Sequence, residues 1–372
     1  MVIRNDVANR LQIANQFQVE GPLTAIQPFG AGNINDSYLV TSAAGERQYL
    51  LQRINQHVFP RPDWVMANLR LLQGHMAQQL AMLGDGRPWA LPEVMCTPAG
   101  ADHVYDDAGE FWRLQHFVEG SRSYAEVRDV HHAAEAGAAI GRFHRLIADL
   151  DPAHLHDTLV GFHVTPRYLA DYQRHLAAWT QTAPSAEEQF CLDFIAARQH
   201  RVGLLEEALA RGELHLRPIH GDPKVDNILI DTATDQAIAV IDLDTAKPGL
   251  IHYDIGDMLR SGCNPLGELT PDWHKVRFEV DLCETMLGAY CGEAAPILTE
   301  GDYAYMADAI WLLTFEMGLR FFSDYLNGNV YFNVEPAINL RRALVQMQLT
   351  ASIEAQWGAI GGIVKGLADR VG

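Results

Sequence analysis

Asp222, Asn227 five positions later and Asp242 twenty positions after the first have the types and spacing that phosphoryl transfer requires. One carboxylate can receive and orient an acceptor hydroxyl. A second carboxylate and a neutral amide oxygen can hold Mg2+ against nucleotide phosphates. Each piece alone is ordinary turn or capping chemistry, as Gly221-Asp222-Pro223 illustrates. Taken together, in this order, they point to a site if the chain brings them together. Ile228–Ile230 and Ala237–Ile241 are apolar runs, and the polar DTATDQ turn lies between them. That pattern reads as a β-hairpin, with Asp222 and Asn227 just before it and Asp242 and Asp244 at its exit. A hairpin brings its ends together, so Asp222, Asn227 and Asp242 are expected to converge.

The surrounding chain has to position that hairpin. Its 372 residues suffice for a two-lobed enzyme. With 48% hydrophobic and 20% charged residues, it has an ordinary globular balance. The formal net charge of −19 argues against nucleic acid or an anionic membrane as partner. A bound nucleotide then has to be screened locally, by metal and a few placed cations. The five cysteines, Cys96, Cys191, Cys263, Cys283 and Cys291, show no metal-binding spacing. They read as free thiols of a reducing cytoplasm. No apolar signal core opens the sequence, and no run is long enough to span a bilayer.

Coarse patterning gives an α+β order. Asn5–Phe17 reads as a short helix, and Leu23–Phe29, Ser37–Val40 and Gln48–Ile54 as strands, the last two separated by a turn at Gly45. Between the first two strands lies FGAGNIND, Phe29–Asp36, a small-residue loop of the kind that lets backbone N–H groups approach phosphate. A long helix capped by Asp63 runs to Met82. Pro88–Met95, His103–Asp106 and Phe111–Phe117 complete a small sheet. Val127–Ile147, full of small residues, reads as a closely packed buried helix. Helices follow at Thr165–Ala178, Ala186–Arg211, Trp273–Ala289, Asp302–Leu326 and Pro336–Ala368.

The Asp222–Asn227–Asp242 spacing also matches the catalytic loop of protein kinases and the HGDxxxxN…ID motif of aminoglycoside phosphotransferases and choline kinases. More closely, the chain resembles the N-acetylhexosamine 1-kinases, a branch of that group. The resemblance is carried, nearly end to end, by GAGNIND at Gly30, YLLQRIN at Tyr49 and WRLQHFVEG at Trp112. It continues through HGDPKVDNILID at His220, VIDLDTAKPGLIHYDIGDMLR at Val240 and FEMGLRFFSDYLNGNVYF at Phe315. It implies a bilobal protein-kinase-like fold. A small β-rich nucleotide-binding lobe would span residues 1–116, and a larger helical lobe with the catalytic loop and acceptor site residues 117–372.

The resemblance also implies roles. Asp222 would be the catalytic carboxylate and would touch the acceptor; Asn227 and Asp242 would bind Mg2+. Asp244 would either reach the metal through water or support the loop. Asn33, Arg320 and Tyr331 would line the acceptor pocket. An internal ion pair of Arg320 with Glu316 or Asp324, beside a core tyrosine, is the plainer reading of that helix. Gly30, Gly32, Arg53, Gln115, Phe117 and Lys224 would serve the nucleotide, with adenine held near Gln115–Val118. Lys224 would neutralise phosphate, or be a solvated loop lysine. Asp254 and Asp257 would be structural, accepting loop N–H groups.

Two departures stand out. The strand that carries a phosphate-binding lysine in most kinases has Gln52 and Arg53, and the following helix has no glutamate to pair with one. Asn33 stands where a GHIN motif is expected.

The expectation is an ATP- and Mg2+-dependent cytoplasmic kinase, with a monomer favoured and the oligomeric state left open. It would phosphorylate the anomeric hydroxyl of an N-acetylhexosamine such as GlcNAc or GalNAc. The alternatives are another small hydroxylated acceptor, such as a different sugar, choline or an aminoglycoside, and a kinase-like binding protein without activity.

Overall fold

A computed structural model describes residues 2–30, 34–43, 47–180, 183–332 and 334–370, with side chains from residue 7 onwards. Gly32, Asn33 and the turn at Gly45 lie outside the described residues. The fold is α+β and kinase-like, a small antiparallel sheet lobe plus a helical lobe. The chain divides into two units: Met1–Ser121 with Leu155–Leu159, and Arg122–His154 with Val160–Gly372.

The first unit begins with α1 (Val2–Ala14) and the strands β1 (Leu23–Pro28), β2 (Asp36–Ser42) and β3 (Gln48–Ile54). After α2 (Pro62–Leu83) come β4 (Val104–Tyr105) and β5 (Phe111–His116). The sheet is antiparallel in the order β1-β2-β3-β5-β4. Alternation decides which side chains share a face. Tyr38, Val40, Tyr49, Leu51, Trp112 and Leu114 form one core with Ile13, Ala14 and Phe17 of the N-terminal segment.

Two expectations change here. Pro88–Met95 is not a strand but a single bridge, Val94 to Gln115. Pro88 and Pro92 cannot donate to a ladder. Asp63 is not the cap of α2: Arg61 holds that position and Pro62 follows it, while Asp63 sits in the first turn and pairs with Arg61.

The short strand β6 (Ser121–Arg122) leads into the second unit. There α3 (Val130–Ile147), α4 (Thr165–Ala178), α5 (Ala186–Arg198) and α6 (Leu204–Ala210) precede the stretch that carries Asp222, Asn227 and Asp242. The stretch itself supplies β7 (Arg217–Ile219), β8 (Ile228–Asp231), β9 (Ala237–Val240), β10 (Lys247–Gly249) and α7 (Ile251–Gly262). Last come α8 (Val280–Ala294), α9 (Glu300–Leu326), α10 (Pro336–Ala355) and α11 (Trp357–Ala368).

Three expected helices are divided. Ala186–Arg211 breaks ahead of α6 at Gly203. Trp273–Ala289 is one tight turn at Trp273–Lys275 and then α8. Pro336–Ala368 breaks at Gln356 (φ −112°, ψ 15°), whose side-chain amide donates to the Phe278 carbonyl at 2.8 Å. The buried helix α3 lies tightly on α8. A Cβ on Gly137 would stand 2.0 Å from the Met286 carbonyl oxygen, and one on Gly141 2.5 Å from that of Tyr290.

Candidate active site

β8 and β9 form the expected hairpin, with Ile228 opposite Val240. The turn is organised by Asp231, whose Oδ1 accepts from the N–H of Ala233 and Thr234, and by Asp235 at φ 57°. At the open end the Ile241 N–H donates to the Asn227 carbonyl at 2.9 Å, which puts Asn227 beside the start of the Asp242 loop. β7 pairs antiparallel with β10, Ile219 opposite Lys247, which fixes the strand feeding the catalytic loop. This pairing and α7 were not among the expected elements.

The loops are then cross-braced. His220, fully buried, has Nε2 2.8 Å from the Ile241 carbonyl, while its Nδ1 accepts from the Asp222 N–H at 3.1 Å. That assigns the proton to Nε2, and burial holds the imidazole below its ordinary pKa and therefore neutral. One ring thus ties the Asp222 backbone to the residue preceding Asp242. Gly221 (φ 89°) has no alternative there, because a Cβ would lie 2.6 Å from the Thr245 carbonyl oxygen. Asp254 accepts from the N–H of His220 at 2.7 Å and of Gly221 at 2.8 Å, and from His144 Nε2 at 2.8 Å. It is the structural acid expected. Asp257 is not: its partner is Arg260 of its own helix, at 2.8 Å.

Asp222 itself is about one-third exposed at the side chain, with Lys224 Nζ 3.5 Å from Oδ2. Burial pushes the carboxyl up, but Lys224, His220, Arg260 and His163 outweigh it and leave the group below its ordinary value. Lys224 is raised, first by Asp222 and, after the opposing effect of burial, by Asp226 and Asp242. It therefore sits among the acidic groups of the loop. The Asn227 amide nitrogen donates to the Asp222 carbonyl at 2.7 Å, which leaves the amide oxygen as the end available to a cation. Asp242 is exposed and holds a left-handed backbone (φ 65°, ψ 54°), costly for a non-glycine residue and frequent at functional sites. Asp244 is buried in the turn that follows. Among the described residues no three His, Cys, Asp or Glu side chains form a metal cluster. A pair of oxygen donors completed by phosphate is the arrangement Mg2+ accepts.

Arg320 lies on α9 with its side chain 9% exposed. Its guanidinium carbon is 5.0 Å from the Phe162 ring centre, 4.8 Å from Tyr168, and 5.9 Å from both Tyr331 and Phe332. Its acidic neighbour is Glu316, at 3.8 Å, rather than Asp324. Asp324 instead pins the loop that carries Tyr331, accepting from the N–H of Tyr331 at 2.8 Å and of Phe332 at 3.1 Å. Asp222 is the last of the charges that raise Arg320, after Tyr168, Tyr331 and Glu316.

The remaining candidates belong to the first unit. Gly30 (φ 76°) opens the small-residue loop with free space around it. Phe29 and Phe117 meet edge-on at 5.2 Å. Arg53 and Gln115 are on opposite faces of the sheet, since Arg53 is opposite Trp112 and Gln115 opposite Leu50. Arg53 pairs with Asp36 at 2.8 Å and Glu110 at 3.4 Å. Gln115 is buried in the ladder, and the Phe117 N–H donates to the Gln48 carbonyl. Where a kinase lysine is expected, Gln52 accepts two bonds from the buried Arg113, at 3.0 and 2.8 Å.

Sequence spacing missed Arg113, His163, Phe162 and Tyr168. Only Arg113 had a signal, as the cross-strand neighbour of Gln52.

Solved structures share this fold. One is an aminoglycoside phosphotransferase from Alicyclobacillus acidocaldarius, with 17% identity and a TM-score of 0.61, covering 97% of this chain and 95% of that one. A microcompartment-associated aminopropanol kinase has 19% identity and a TM-score of 0.62, covering 94% and 97%. A spectinomycin phosphotransferase solved with ADP and spectinomycin has 11% identity and a TM-score of 0.54, covering 94% of each chain. At these identities the likeness is one of fold. The sequence itself matches the family model of the phosphotransferase enzyme family (APH) over residues 25–277, more than half of its length, and the chain belongs to that family.

Proposed function

We propose that the protein transfers the γ-phosphoryl group of ATP to the anomeric hydroxyl of an N-acetylhexosamine, giving the sugar 1-phosphate and ADP. The observation that carries this reading is Arg320. It is a nearly buried guanidinium, ringed by four aromatic side chains and electrostatically coupled to Asp222. A cationic acceptor such as choline would meet that charge inside the aromatic box, whereas a neutral sugar offers hydroxyl and acetamido oxygens to it. The resemblance across Phe315–Phe332 supports the same acceptor, and the Asp324 bonds hold the backbone of the loop that carries Tyr331.

Asp222 orients the acceptor hydroxyl and takes its proton. Because Asp222 stays ionised below the ordinary carboxylate range, proton transfer is late and positioning dominates, as a loose phosphoryl-transfer transition state requires. Asn227 and Asp242 are the residues that hold Mg2+, with Asp244 behind them. When bound, Mg2+ neutralises charge on the transferring phosphates. Lys224 adds a cation beside Asp222. In the first unit, Gly30 would offer its backbone to phosphate, while Arg53 is engaged by two carboxylates.

The test is ADP release with Mg-ATP and separate acceptors: GlcNAc, GalNAc, glucose, choline, ethanolamine and an aminoglycoside. Turnover with a hexosamine should abolish its reducing end and give a phosphorus resonance coupled to the anomeric proton. Turnover with choline or an aminoglycoside alone would replace the sugar reading. For Arg320→Ala the expected loss is in acceptor KM, by roughly 10-fold or more, from deleting a charged hydrogen-bond donor. An unchanged KM with a lowered Tm would return Arg320 to a structural role.

A further inference from the structure

His163 is 2% exposed and adopts a left-handed backbone, φ 63°. Such a conformation costs a non-glycine residue about 1 kcal/mol or more, and it persists only where the surroundings enforce it. They do so through both ring nitrogens. Nδ1 is 2.8 Å from Glu316 Oε1, and Nε2 is 2.6 Å from the Gly221 carbonyl oxygen. Neither partner has a proton to give if Glu316 is ionised. The surroundings of Glu316 favour that form: Thr165 Oγ1 donates to its other oxygen at 2.7 Å, and Arg320 is 3.8 Å away. A ring flanked by two acceptors donates from both nitrogens, which makes it an imidazolium.

The charges facing it come from three sides. α9 presents Glu316 and Arg320; α7 presents Asp257 and, at 5.5 Å between ring centres, Tyr253; the catalytic loop presents Asp222. Burial and Arg320 oppose protonation, while Glu316 and Asp257 favour it and prevail.

What His163 holds is the peptide joining Gly221 to Asp222. The Gly221 N–H is bound to Asp254, its carbonyl to His163, and the Asp222 N–H to His220. The catalytic carboxylate therefore hangs from a backbone fixed on every polar atom. At its other end His163 reaches, through Glu316, the helix turn that carries Arg320.

We propose that His163 is a charged positioning residue that, braced by Glu316, fixes the Gly221–Asp222 peptide. This rests on the reading of Asp222 as the catalytic carboxylate.

The experiment has two arms. The first uses the intact protein: nitrogen-15 spectra at about pH 8, with the His163 resonances assigned by their loss in His163→Gln, should show both ring nitrogens protonated. A neutral ring there overturns the proposal whatever the acceptor proves to be. The second uses His163→Gly, which suits the left-handed backbone and leaves an imidazole-sized space. Its kcat should fall roughly 100-fold, the scale expected of a small misplacement of a reacting group, while acceptor KM changes less than about 3-fold. Added imidazole should restore kcat at least about 10-fold, and 1-methylimidazole, which lacks the second N–H, should not. Equal rescue by both compounds, or an undiminished kcat, overturns the proposal. If His163→Gly does not fold, the kcat of His163→Gln decides this arm, with the same loss expected. If the wild type turns over none of the acceptors, the sugar-kinase reading fails by itself, and the spectra still decide the charge of His163.

Discussion

In the proposed role, Asp222 presents a chemical question, because a carboxylate held below its ordinary pKa is a weak base. Its value there would lie in staying ionised and orienting the acceptor. Asp222→Asn tests this with little disturbance, since the Asn227 and His220 bonds use the backbone of residue 222 and survive the change. We expect kcat to fall about 10²–10⁴-fold, with acceptor and nucleotide KM within a few-fold. A near-normal kcat would show that another group orients the hydroxyl. A second carboxyl has the opposite bias. Burial pushes Glu206 up to about 7, against a hydrogen bond from Tyr253 at 2.9 Å. The folded protein therefore binds a proton that the unfolded chain releases near the ordinary glutamate value. Stability falls as pH rises through the window from that value to about 7, and levels off above it. Glu206→Gln keeps an acceptor for Tyr253 and removes the titration. Its Tm relative to the parent should become more favourable between about pH 5 and about pH 8 in scanning calorimetry; a constant difference would show that Glu206 does not titrate in that window. The spacing of Asp222, Asn227 and Asp242 was legible because the hairpin that gathers them is local. His163 was not, since its two partners lie 58 and 153 positions away in the sequence.

Elements were legible where their residues meet the outside on one face, or are uniformly small. The hairpin strands β8 and β9 were readable as apolar runs around a polar turn, and α3 as a stripe of small residues that must let another backbone approach. That second inference makes a contrast within one pair of helices. Gly137 of α3 has no room for a side chain against the Met286 carbonyl, while Gly288 of α8 has nothing within 4 Å of a built Cβ. Gly137→Ala should destabilise by about 1–3 kcal/mol or more through overpacking. Gly288→Ala should be neutral, or stabilise by about 0.5–1 kcal/mol through helix propensity. Urea midpoints measure both, and equal shifts would refute the close α3–α8 approach. α7 was illegible for the reverse reason. Asp254, Asp257 and Arg260 recur every three residues on it, a helical polar stripe, but all three are buried in the site rather than facing water. A polar stripe that is buried marks no solvent face, so periodicity alone does not mark this helix. The divided helices fail similarly: Gln356 ends α10 with a side-chain bond to a residue 78 positions away, which no local pattern announces.

At the scale of the molecule, the net charge of −19 leaves the site to supply its own cations, and Lys224, Arg260 and Arg320 all act electrostatically on, or with, Asp222. Sequence order suggests one crossing between the units, but the chain makes three, two of them from the first unit to the second. Leu155–Leu159 returns to the first unit, between α3 and α4. Its anchor is Asn68 on α2, 1% exposed, whose amide nitrogen donates to the His156 carbonyl at 2.8 Å while its oxygen accepts from the His156 N–H at 2.9 Å. The His156 ring stacks on Trp64 at 4.8 Å, one helical turn earlier on α2. An asparagine amide thus pairs with a peptide as a strand would, and nothing in the local sequence signals it, because the partners are 88 positions apart. Asn68→Ala removes both bonds to residue 156. The expected loss is about 1–3 kcal/mol, at about 0.5–1.5 kcal/mol for each hydrogen bond lost. Amide exchange should rise over residues 155–159 more than over α9, which does not depend on this anchor. A stability change under about 0.5 kcal/mol, or exchange unchanged in 155–159, would show that the returning segment is held by the Trp64 stack rather than by the amide.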